Sequence, residues 1–162
     1  SYFCGMKYRM LTNEELQHLE GDLKAFLIIN GIEGEGWKKL NESEPEKAVA
    51  LVELFSDNVL QTVYEKVQFL EFRSQDLCLV FHCKEDALDL ISISRVPGTA
   101  CDLSTPEAIH DALVYHAYGL TWFRTSKPYN EARELEIHRL LEQGSVLSTP
   151  EFWEALVKGL EG

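Results

Sequence analysis

The apolar positions of this chain change period as it proceeds. From Leu11 to Val63 they recur at helical spacing, from Val67 to Ser94 they alternate, and beyond that the two patterns interleave. Leu16, Leu19, Leu23, Phe26 and Leu27 make one stripe and predict a helix from Asn13 to Asn30, with Gly31 as its stop. After the glycine-rich turn "GIEGEGW", Trp37 and Leu40 indicate a short helical piece. A second long helix starts at Ser43 and carries Ala48, Val52, Phe55, Val59 and Val63 on one face, with room for a break at Asn58.

Val67–Phe72, Leu77–His82 and Leu88–Ser94 are short, rich in β-formers and separated by the polar turns "RSQD" and "KEDA", which predicts a three-stranded antiparallel meander. A helix from Pro106 to His116 should turn Ile109, Ala112, Leu113 and His116 inward. Leu120–Thr125 reads as a fourth strand, and Asn130–Gln143 as a helix with Leu135, His138 and Leu141 on its apolar side, ended by Gly144. The last helix runs from Pro150 to Leu160 with Phe152, Trp153 and Leu156. The fold class is α+β: a small antiparallel sheet, a three-stranded meander plus a fourth strand, packed against about five helices. A single globular domain is expected over residues 6–160, with Met6 as the natural start and residues 1–5 and 161–162 as vector-derived or disordered ends.

The pentapeptide "LSTPE" occurs at Leu103–Glu107 and again at Leu147–Glu151. Ser followed three residues later by Glu is the capping-box pattern, and Pro is tolerated in a first helical turn because its missing N–H has no partner there anyway. "SEPE" at Ser43–Glu46 and "TNEE" at Thr12–Glu15 have the same form. The repeat therefore reads as architecture, with Ser104 and Ser148 expected as N-caps, and not as a duplicated catalytic motif.

Composition narrows the function classes. With 162 residues, 45% hydrophobic and 26% charged, the chain can build a real core and lacks the low apolar content of a disordered one. The net charge of −12 argues against nonspecific binding to nucleic acid or anionic membrane, which runs on Lys and Arg. Residues 11–58 hold 11 acids against four bases, either a solvated helical face or a surface for a basic protein partner. Cys4, Cys78, Cys83 and Cys101 form no C-x-x-C pair, so a reduced, cytoplasmic protein without a disulfide framework is expected.

Candidate chemistry is sparse. Gly31, Gly34 and Gly36 follow a helix and are interleaved with Glu33 and Glu35, which would repel a phosphate. The five histidines have no i, i+4 pair, no serine or cysteine sits in a nucleophile motif, and Asp86 and Asp89 read as turn residues at a strand start. No catalytic residue, metal site or cofactor is implied. One stretch differs in sign: "WFRTSKPYNEAR" (Trp122–Arg133) sets Arg124, Lys127 and Arg133 against the single acid Glu131. Arg124, Ser126, Lys127, Tyr129 and Arg133 are the candidate anion-binding residues, near a helix start whose N–H groups add partial positive charge. Strand alternation puts Arg124 on the face of Leu120 and Trp122, so on a core face it must reach out from the edge or pair internally. The plain alternative is a loop whose cations offset the surrounding acids.

"MKYRMLTNEEL", "FLEF" leading into the meander, "LDLISI", "DLSTPEA", "TSKPYNEAR" and "LLEQGSVLSTPEFWEAL" together resemble an uncharacterised family of small bacterial proteins, domain-of-unknown-function family 6495. The resemblance covers nearly all of the chain from Met6. It implies a bacterial, cytoplasmic, single-domain protein and supplies no activity, cofactor or catalytic residue. The leading expectation is a non-enzymatic binding or regulatory module with a protein partner on its acidic helical surface. The alternative is a small enzyme or anionic-ligand-binding protein with a pocket near Arg124–Arg133.

Overall fold

A computed structural model describes residues 5–161; residues 1–4, Cys4 among them, and Gly162 lie outside the described residues. The chain forms two compact units, residues 1–65 and 66–162.

The first unit is helical. Helix α1 (Asn13–His18) opens on a capping box at Thr12, whose hydroxyl accepts from the Glu15 N–H at 3.1 Å while Glu15 accepts from the Thr12 N–H at 2.8 Å. Arg9 grips the same carboxylate at 2.8 and 3.0 Å. The expected single helix to Asn30 is broken at Leu19, whose φ of −107° leaves helical geometry, and α2 (Glu20–Ile29) follows. Gly31, at φ +83°, closes α2 in a Schellman motif: its N–H reaches Ile28 O and the Ile32 N–H reaches Leu27 O. Helix α3 (Gly36–Ser43) includes Ser43, whose hydroxyl bonds back to Lys39 O at 2.7 Å; Ser43 thus ends one helix and does not cap the next.

Helix α4 (Pro45–Lys66) runs unbroken through Asn58. Its buried side drifts round the helix from Ala48 and Phe55 to Ser56, Leu60 and Tyr64, leaving Val63 exposed. The drift follows from two successive neighbours. Phe55 packs against Phe26 of α2, whereas Ser56 accepts from the Leu11 N–H and Tyr64 meets Tyr8 edge-on.

The second unit is built on a five-stranded antiparallel sheet of order β4-β3-β2-β1-β5, from β1 (Phe69–Arg73), β2 (Leu77–Cys83), β3 (Ala87–Arg95), β4 (Leu120–Pro128) and β5 (Val146–Leu147). The meander and the fourth strand stand as expected from alternation. The fifth has two residues, too few for a period to show. With α5 (Pro106–Tyr115), α6 (Arg133–Glu142) and α7 (Pro150–Glu161), the described residues hold seven α-helices, not about five, and a 3₁₀ turn at Ala117–Gly119. None is long and apolar enough to cross a membrane.

Cys78, Val80, Ile91 and Ile93 on one sheet face meet Ile109 and Ala112 of α5, Trp153 and Leu156 of α7, and Leu103 from the intervening loop. His116, expected inward, is exposed just past the end of α5. The "LSTPE" repeats do start helices, but the caps are Thr105 and Thr149, which accept from the Ala108 N–H at 3.0 Å and the Phe152 N–H at 3.2 Å. Proline is restricted to the first helical position, which moves the cap to the residue before it. Ser104 instead bonds Asp102, and Ser148 donates to buried Glu71 at 2.5 Å.

Candidate functional site

Alternation along β4 divides the candidate anion-binding residues between the two sheet faces. Arg124 and Ser126 lie on the face covered by α5 and α7, and Lys127 lies on the other. Arg124 resolves its conflict internally, with its guanidinium 5.5 Å from the ring centre of Trp153. Tyr129 donates its hydroxyl to Lys84 O at 2.8 Å. Arg133 is fully engaged: Nε donates to Lys84 O at 3.1 Å, Nη2 to Cys83 O at 3.0 Å and to Val67 O, and Nη1 pairs with Glu134 at 3.0 Å. The five residues therefore do not converge on one point. Tyr129 and Arg133 fasten the loop before α6 to the ends of the meander, and α6 starts at Arg133, not Asn130, because Ala132 is extended at ψ 140°.

On the Lys127 face, α6 and the sheet enclose a cavity of about 420 Å³. Phe81 of β2 and Leu88 and Leu90 of β3 form its floor with Thr125, and Leu140 of α6 faces them. Lys127, Asn130, Glu131, Glu136, Arg139 and Gln143 make the polar rim. Residues 136, 139, 140 and 143 have helical i, i+3, i+4, i+7 spacing. Three of the four are polar, so no apolar stripe marks that side of α6 in the sequence. Only the apolar residue among them and the alternation of β2 and β3 hinted at a lining.

The rim charges are unequally engaged. Arg139 holds Glu131 in a two-point contact at 2.7 and 3.1 Å, and this hydrogen bonding draws the Glu131 carboxyl below its ordinary pKa. Glu136 accepts from the Glu131 N–H at 3.2 Å. Lys127 makes no ion pair among the described residues.

The opposite face carries a row of direct cross-strand partners across four strands, Phe69, His82, Asp89 and Ser126, the last three polar. Asp89 is no turn residue. It is 4% exposed, pairs with Lys84 at 2.9 Å, and its second oxygen makes no hydrogen bond of ordinary geometry among the described residues. Burial pushes its carboxyl up, but Ser126, Lys84 and Arg124 outweigh burial and hold it below the usual range. His82 stacks on Phe69 at 4.4 Å and meets Trp153 at 5.4 Å; burial lowers its pKa against the opposing pull of Asp89. A hydroxyl–imidazole–carboxylate relay needs the imidazole in the middle. Here the carboxylate stands between, so the row ties strands together. Burial pushes the Cys78 and Cys83 thiols up to about 12 and about 11, far from a reactive thiolate. Among the described residues no three His, Cys, Asp or Glu side chains are grouped to hold a metal.

A family model matches residues 6–161. The chain belongs to this family of unknown function, DUF6495. No curated protein and no solved structure matches it. The match spans both units, so the cavity and the acidic helices lie within one family unit.

Proposed function

We propose that this family member is a cytoplasmic, non-enzymatic binding protein for a small amphipathic acid, held in the cavity between α6 and the sheet. The observation that carries the reading is a cavity of about 420 Å³ with an apolar floor and one cation, Lys127, not engaged in an ion pair among the described residues. Small-molecule pockets have this size and this mixture of apolar lining with a few polar groups. An apolar body fits against Phe81, Leu88 and Leu90, and its carboxylate meets Lys127. A chain of net charge −12 repels anions at long range, so an anion site needs a local cation that its neighbours have not neutralised.

Titration with medium-chain and aromatic carboxylates, read by amide NMR shifts, tests this. Saturable shifts are expected at Leu88, Leu90, Lys127 and Leu140. Lys127→Met should weaken binding by about 10-fold or more, the equivalent of one charge-assisted hydrogen bond. Shifts centred elsewhere, or equal affinity in the variant, would sink the reading.

A second reading rests on the first unit, where Glu14, Glu20, Asp22, Glu42, Glu44 and Glu46 are all exposed. That density of solvated acids supports a surface for a basic protein partner, and its salt dependence distinguishes it from ligand binding in the cavity.

A further inference from the structure

The two edges of the sheet are finished differently. At one, β5 pairs only Leu70 and Glu71, and the Ser148 N–H bonds Phe69 O just beyond, so a short strand and the start of α7 close the edge. At the other, β4 runs for nine residues with no strand beyond it among the described residues. From Phe123 to Pro128 every side chain is exposed, and Phe123 itself is 56% exposed in the middle of the strand. A long open edge of unpaired N–H and C=O groups is a template for another strand. The composition of β4 says where pairing must stop. Pro128 has no N–H to give, and Lys127 beside it is the usual residue that blocks an edge. The usable edge is therefore Leu120–Ser126, seven residues with Phe123 at the centre.

We propose that β4 pairs antiparallel with β4 of a second copy of this chain, about a two-fold axis through Phe123, joining two five-stranded sheets into one. Symmetry fixes every partner once the axis is placed. Phe123 faces Phe123 of the other copy, Thr121 faces Thr125, Trp122 faces Arg124, and Leu120 faces Ser126. Aromatic pairs and threonine pairs are favourable cross-strand neighbours, and a guanidinium beside an indole is a cation–π contact. Arg124 already lies against its own Trp153, so a second ring enlarges an existing aromatic seat. An axis one residue further along would set Arg124 against Arg124, a like-charge pair that opposes association. Centred on Phe123, the register leaves Lys127 and Pro128 beyond the paired span at both ends. A seven-residue antiparallel pair supplies about six or eight backbone hydrogen bonds across the axis. The contact is isologous and consumes the open edge of both copies, so it closes at a dimer and does not propagate.

Sedimentation velocity on the full chain from micromolar to millimolar concentration should show a monomer passing to a dimer. Phe123→Lys, a substitution at an exposed position, should remain monomeric with an unchanged circular dichroism spectrum. Phe123→Cys should cross-link to itself under mild oxidation, as directly opposite residues reach disulfide geometry, while Thr121→Cys alone should not. A wild-type chain that stays monomeric throughout overturns the proposal. So does a dimer that survives Phe123→Lys, or one in which Thr121→Cys cross-links as readily as Phe123→Cys.

Discussion

The repeated pentapeptide offers a comparison in which sequence context is held constant and tertiary context is not. Ser104 and Ser148 occupy the same place in "LSTPE", and alanine removes the same hydroxyl from each. Ser148 donates to Glu71, a residue 5% exposed whose other carboxylate oxygen pairs with Arg73. A hydrogen bond to a charged, buried acceptor contributes about 1.5–3 kcal/mol, and its loss leaves Glu71 partly unsatisfied. Ser104 bonds Asp102 at an exposed site, where substitutions stay within about 0.5 kcal/mol. Thr105→Ala and Thr149→Ala each remove a true N-cap and should cost about 0.5–2 kcal/mol. The expected order of destabilisation is Ser148→Ala above Thr149→Ala and Thr105→Ala, with Ser104→Ala last. Urea unfolding followed by tryptophan fluorescence measures it, since Trp122 and Trp153 both lie in the second unit. If Ser104→Ala proves as costly as Ser148→Ala, the capping assignment and the role of Glu71 are both wrong.

Arg133→Lys should destabilise the second unit by about 1–3 kcal/mol, because an ammonium cannot reproduce the fork that serves three carbonyls; an unchanged urea midpoint would contradict this. His82 should titrate below 6.5: burial favours its neutral form, so the unfolded chain takes up the proton first. Stability present above pH 6.5 is then lost as pH falls below it, and His82→Phe should flatten that dependence; an NMR midpoint at or above 6.5 would refute the assignment.

Local chemistry was legible in the sequence wherever it repeats over several residues. The alternation of "LCLVFH" and "LDLISIS" gave β2 and β3 within a residue or two, and Gly31 and Gly144 marked their Schellman closures, because a positive φ is a local demand that glycine meets at least cost. The helix starts at "STPE" were readable as starts, since proline leaves few other roles for that sequence. Which residue does the capping was not readable, because Ser and Thr are adjacent and both competent. Only the position of Glu71 assigned Ser148 elsewhere.

Tertiary structure decided the rest, for a common reason. A side chain's role depends on what lies across the sheet or beneath the helix, at sequence separations no period encodes. Asp89 became a buried carboxylate flanked by His82 and Ser126 on neighbouring strands and ion-paired with Lys84 from the turn before its own strand. The cations of residues 124–133 were visible as a cluster along the chain, yet strand alternation over their odd separation sent Arg124 and Lys127 to opposite faces, and backbone carbonyls took Arg133. The cavity beside Lys127 is lined from β2, β3, β4 and α6 together, residues up to about sixty positions apart that no single stretch of sequence brings into view.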